Sequence, residues 1–143
     1  MKLWIKLFMV GAVTALVGCS GAVPGKSPTL EFRTAYPLQL VFERAMAQAK
    51  YCWSTDANLP ILGNVALNGK TAQVRAMGEF GRRAFGRVDI EAVDAKNSFV
   101  TVSVIGIDAW DTTSLHAMKA AIEYGVPGCT NYYPSDTKPV KKR

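Results

Sequence analysis

Apolar and polar positions along this chain fall into two kinds of repeat, one with the period of a helix and one with the period of a strand. From 37 to 52 the apolar residues Leu38, Val41, Phe42, Ala45, Ala49 and Cys52 recur at three- and four-residue spacing, with Glu43, Arg44, Gln48 and Lys50 elsewhere, which predicts an amphipathic helix. Thr34 is placed to cap it, and Pro37 is tolerated in a first turn. Residues 54–60 read as a loop. Period two then takes over. Ala72, Val74 and Ala76 alternate with Gln73 and Arg75, and Val88, Ile90 and Ala92 alternate with Arg87, Asp89 and Glu91. Between 99 and 107, Val100, Val102 and Val104 alternate with Thr101 and Ser103. Each segment predicts a strand with one buried and one wet face, as an antiparallel sheet allows.

Turn chemistry punctuates these segments. Asn68-Gly69 separates a short apolar run at 61–67 from the strand at 71–77 and predicts a hairpin. Asp94, Ala95, Lys96 and Asn97 supply the next turn. Asp111 offers an N-cap to a second helix with a stripe of Leu115, Met118, Ala121 and Ile122, ended by Gly125 and barred from continuing by Pro127. The order helix, antiparallel meander of three to four strands, helix predicts an α+β fold, a two-layer sandwich spanning residues 31–134.

The N-terminus carries different information. Lys2 and Lys6 precede an apolar stretch at 7–17, of the length of a signal-peptide core rather than a membrane span. It ends in Leu16-Val17-Gly18-Cys19. This segment resembles the lipobox of bacterial lipoproteins: an apolar residue, a small or branched one, a small one, then the obligatory cysteine. The resemblance covers about the first nineteen residues and implies that residues 1–18 are a signal peptide and are removed. It also implies a diacylglyceryl cysteine at Cys19 with amino-terminal acylation, such as palmitate, and a chain held by lipid without a protein span. Ser20, being other than aspartate, resembles the sorting signal for the outer membrane, which implies the periplasmic face of that membrane. Residues 19–30, rich in Gly, Pro and Ser, then read as a lipidated tether holding the domain on the order of 20 Å from the bilayer. Residues 135–143 read as a basic disordered tail.

With Cys19 committed to lipid, Cys52 and Cys129 remain in a compartment that permits oxidation, and a disulfide between them is expected. Closing so long a loop contributes about 4 kcal/mol in the chain-entropy model. If both helices pack on one face of the sheet, the bond joins the end of the first to the exit of the second, with Trp53 positioned to cover it.

The formal net charge is +6, and losing Lys2 and Lys6 with the signal peptide lowers it to +4, an ordinary value for a solvated surface. The densest charge is Arg75, Arg82, Arg83 and Arg87 around the turn at 78–81. Guanidinium groups there are suited to a phosphate or carboxylate of an anionic lipid or cell-wall polymer. The competing expectation is a hairpin end whose arginines pair with Asp89 and Glu91. Tyr124, Tyr132 and Tyr133 with Trp110 form a second candidate, an aromatic patch for a protein partner. Nucleic acid is not an expected partner of an exported chain lacking a reader motif.

Catalytic chemistry has little support. Ser114 and the only histidine, His116, are two apart on a helix and do not face one another, and Asp111 is better used as a cap. One histidine and no carboxylate cluster including it is too few ligands for a metal, and no cofactor motif is present. The expectation is therefore a non-enzymatic adaptor or accessory subunit of the cell envelope, bound to the membrane by its lipid and to an envelope protein partner. The alternatives are a binder of an anionic envelope ligand through the arginines and an inhibitor of a foreign hydrolase.

Overall fold

The computed structural model describes residues 21–54, 58–78 and 81–129. Its elements are β1 (Thr29–Thr34), α1 (Leu38–Gln48) continued by a π-helical turn (Ala49–Trp53), β2 (Ile61–Val65), β3 (Thr71–Met77), β4 (Ala84–Ala92), β5 (Ser98–Val104) and α2 (Thr112–Tyr124). The five strands form one antiparallel sheet in the order β1-β5-β4-β3-β2. Strands β2 to β5 are the expected meander, with β1 added beside β5, and the fold is α+β.

Strand alternation builds the inner face row by row. Phe32, Val100, Ile90 and Ala72 lie across from one another in register, as do Leu30, Val102, Val88 and Val74. Both helices close over this face: Leu38, Val41 and Ala45 of α1 and Leu115, Met118 and Ile122 of α2 join the same buried cluster. A third row, Val104, Gly86, Ala76 and Ile61, is deliberately shallow in the middle. A Cβ on Gly86 would stand 2.7 Å from the Trp110 ring and 2.9 Å from that of Trp53. The missing side chain lets two indoles, 5.5 Å apart, lie on the sheet.

The helix ends follow their chemistry. The Asp111 carboxylate accepts from the N–H groups of Thr113 and Ser114, as a cap should. At the other end of α2, Gly125 takes φ +73° and donates to Ala121 C=O at 2.8 Å, the left-handed stop that glycine permits. The π-turn after α1 carries Cys52 to Cys129, and the disulfide joins the end of α1 to the segment that leaves α2, across 77 positions of sequence.

Three expectations are corrected. Thr34 does not cap α1; it is buried in β1, and Pro37 occupies the N-cap position with no side-chain bond. A strand precedes the first helix, because Leu30 and Phe32 alternate with Thr29, Glu31 and Arg33 and pair with β5. The stretch read as a free tether is also folded from Gly21 onward. Ala22 is 4% exposed and donates to Ala84 C=O at 2.8 Å. The Ser27 hydroxyl accepts from Val23 N–H, and Pro28 C=O accepts from Val104 N–H at 3.1 Å. Cys19, the signal segment 1–18 and the tail 135–143 lie outside the described residues.

Candidate functional site

The outer face of the sheet is polar and divides the four predicted arginines into two pairs. Arg75 and Arg87 are cross-strand partners on β3 and β4. Arg87 is committed along its own strand: its Nε donates to Asp89 Oδ2 at 2.6 Å and its Nη2 to Asp89 Oδ1 at 2.9 Å. Gln73 donates to the same carboxylate at 2.6 Å. Asp89 thus accepts a bidentate guanidinium and an amide together. Among the described residues Glu91 forms no ion pair with an arginine, and the cross-strand charge pairing expected of it is not present. A shallow groove of about 350 Å³ runs over this face, lined by Asn64, Gln73, Asp89, Glu91, Phe99 and Thr101.

Arg82 and Arg83 sit in the β3–β4 connection, exposed to solvent. Gly78 N–H donates to Arg83 C=O at 2.7 Å, closing the turn, and the Arg83 guanidinium lies 5.3 Å from the centre of the Phe85 ring. No carboxylate of the described residues pairs with either of them.

Among the described residues one sheet edge, β2, has no partner strand on its outer side and carries no charged residue. The bonds from Met77 N–H to Pro60 C=O and from Ala66 N–H to Thr71 C=O set the phase of the β2–β3 ladder. In that phase Leu62 and Asn64 bond to β3, so Ile61, Gly63 and Val65 direct their main-chain N–H and C=O groups away from it. Leu62 is 45% exposed, and Leu67 in the following turn is fully exposed. On the inner side Phe42 and Met46 of α1 support Gly63. The opposite edge, β1, presents Glu31 and Arg33 among its outward residues. Charge of that kind blunts strand pairing, and β2, with the sequence ILGNV, has none.

At the sheet end where α1 finishes, Trp53, Phe85, Trp110, Leu59, Gln48 and Ser114 line a cavity of about 400 Å³ against the disulfide. Trp53 is nearly buried and donates from Nε1 to Ser114 Oγ at 2.9 Å. Ser114 is therefore an indole acceptor, and Asp111 caps α2. Among the described residues no group of three or more His, Cys, Asp or Glu side chains could hold a metal ion. Of the expected aromatic patch, Trp110 precedes α2 and Tyr124 ends it, about 20 Å apart along the helix axis, while Tyr132 and Tyr133 lie outside the described residues.

Sequence reasoning missed the Gly21–Ala22 contact with Ala84 and the bare edge of β2. The first has no periodic signal. The second depends on sheet order, which puts an ordinary short apolar run at the rim. No protein-family model matches the chain, and no curated protein is significantly similar to it.

Proposed function

We propose that this protein is a lipid-anchored, non-enzymatic adaptor of the bacterial cell envelope that docks an extended segment of a partner protein along β2. The edge of β2 carries this reading: outward main-chain groups at Ile61, Gly63 and Val65, no charged residue in the strand, and Leu62 and Leu67 exposed beside it. An added strand gains main-chain hydrogen bonds from such an edge and specificity from alternate side chains. The lipobox-like Leu16-Val17-Gly18-Cys19 supplies the address, with Cys19 as the lipidated residue and the periplasmic face of the outer membrane as the place.

The test is in-cell crosslinking from a photoreactive residue at position 62, with the same residue at Glu31 on the opposite edge as control. The expected result is one discrete envelope protein captured from position 62 and not from position 31. That capture should be abolished by Asn64→Lys, which charges the edge, and reduced by Cys19→Ala, which removes the anchor. Equal capture from both edges, capture of a second copy of this chain alone, or none from a correctly anchored protein overturns the adaptor reading.

A further inference from the structure

The folded start of the domain has a consequence for how the molecule sits on its membrane. Gly21 is pressed onto the β3–β4 connection: a Cβ placed on it would lie 2.7 Å from Ala84 O and 3.1 Å from Arg83 Cβ. Ala22 is buried and bonded to Ala84 C=O. Only Ser20 separates Gly21 from Cys19, and a fully extended chain spans at most about 7 Å over those two positions. A lipid on Cys19 therefore leaves no room for a flexible spacer, and this end of the sheet is held at the headgroups. The screening length at physiological salt is about 8 Å, so charges on this end feel the headgroup potential.

The side chains here suit that place. Arg82 and Arg83 are exposed, and no carboxylate of the described residues neutralises them. Phe85, under the Arg83 guanidinium, packs edge-on against Trp110 at 5.8 Å. Ile107, bridged to Trp110, is 56% exposed at the same end. Arginines beside an exposed apolar side chain and a half-buried indole match the layering of a membrane interface, phosphate outside and acyl chain within. Glu79 of the same connection and Asp56 lie outside the described residues; of the described carboxylates, Asp108 and Asp111 lie on the loop into α2, where Asp111 caps the helix.

We infer that the β3–β4 end is the membrane-facing end of the molecule, where Arg82 and Arg83 bind phosphates of anionic phospholipids in the leaflet that holds the Cys19 lipid. The domain then stands in one orientation, with the strands running away from the bilayer and the β2 edge displayed beside it. This rests on the lipid-anchor reading, and the experiment separates the two.

The purified, processed full-length chain is reconstituted in vesicles of phosphatidylethanolamine with phosphatidylglycerol, and in vesicles of phosphatidylcholine alone. Amide hydrogen exchange is followed in both. Mass spectrometry first reads the acyl mass on Cys19. With that mass present, exchange at 81–85 and 106–110 should slow several-fold on the anionic vesicles and much less on the neutral ones. Arg82→Gln with Arg83→Gln should lose that protection while keeping the lipid and the exchange pattern of the core strands. Anchored protein with no protection there, equal protection on both lipids, or protection unchanged in the double variant overturns the orientation and leaves the anchor standing. Protection that persists on neutral lipid but collapses on adding a phosphate-bearing cell-wall polymer assigns the arginines to that polymer instead and also overturns it. Absence of acyl mass on Cys19 overturns both readings.

Discussion

Gln48 and Gly128 exchange two hydrogen bonds: Gln48 Nε2 donates to Gly128 C=O at 2.7 Å, and Gly128 N–H donates to Gln48 Oε1 at 2.9 Å. The amide of a residue that is 1% exposed in the last turn of α1 thus imitates a strand partner for the chain leaving α2, one position before Cys129. Gln48 Nε2 also lies 3.3 Å from Cys52 Sγ. The covalent bridge and the amide clamp therefore act on the same piece of chain.

Their coupling gives the first prediction. Gln48→Ala should lower stability by about 2 kcal/mol, since it leaves main-chain groups of Gly128 without partners. Replacing Cys52 and Cys129 by serine should cost about 4 kcal/mol through the released loop. The triple variant should lose less than the two effects together, because without the bridge the segment at 126–129 is already free and Gln48 has little left to hold. Urea melts of the four proteins measure the coupling, expected at about 1 kcal/mol. Strict additivity would show that the clamp and the disulfide act separately.

Arg44 closes the far end of the same helix pair. Its Nη1 donates to Ile122 C=O at 2.7 Å, and its guanidinium lies 4.3 Å from the centre of the Tyr36 ring. Tyr36 in turn donates to Glu123 C=O at 3.1 Å. A cation placed on unsatisfied carbonyls at a helix C-terminus complements the helix dipole, and the aromatic platform fixes its plane. Arg44→Met should cost about 1–2 kcal/mol in thermal melts, and Arg44→Lys should recover only part of this, since a point charge neither stacks nor forks in the same way. Full recovery by lysine would reduce the role of Arg44 to charge alone.

Much of this architecture is legible in the sequence where periodicity is long. The helical stripe Leu115, Met118, Ala121, Ile122 is buried as expected, and so are the alternating valines 100, 102 and 104. Asp111 and Gly125 bound α2 because capping chemistry is local. What escaped is decided by distant partners. β1 has only Leu30 and Phe32 as inward apolar residues, between two prolines, so its pattern is too short to stand out until β5 is beside it. Residues 21–28 have a linker's composition, and the bonds of Ala22 to Ala84 and of Pro28 to Val104 make them part of the domain. The four arginines belong to one hairpin, yet strand alternation and the Asp89 carboxylate separate Arg75 and Arg87 from Arg82 and Arg83.

Gly86 provides a prediction about the core. Gly86→Ala sets a methyl group against both Trp53 and Trp110, where the strand backbone and the indoles have little space to yield. Overpacking of this kind costs about 1–3 kcal/mol. The loss should come with a changed near-ultraviolet circular dichroism signal, because the 5.5 Å indole pair must move. Trp110→Leu in the Gly86→Ala background should restore part of the stability. An unaltered aromatic signal in Gly86→Ala would mean that the two rings do not rest on this strand in solution.

The turn at 94–97 makes stability depend on pH in a defined direction. Asp94 Oδ1 accepts from Lys96 N–H and from Asn97 N–H, each at 2.8 Å, and the Asn97 side chain donates to both carboxylate oxygens. The Lys96 N–H first, then the Asn97 amides, hold the carboxyl below its ordinary range, although the group is open to solvent. A carboxyl whose pKa is lower folded than unfolded contributes stability above its unfolded value, and loses it as pH falls through the folded one. The stability difference between the native protein and Asp94→Asn should therefore be constant near neutrality and shrink from about pH 4 downward. Urea midpoints taken at intervals down this range measure the difference, while carboxyl NMR locates the titration of Asp94 itself. A midpoint at or above that of an unstructured aspartate would show that the amides of Lys96 and Asn97 do not hold the charged form.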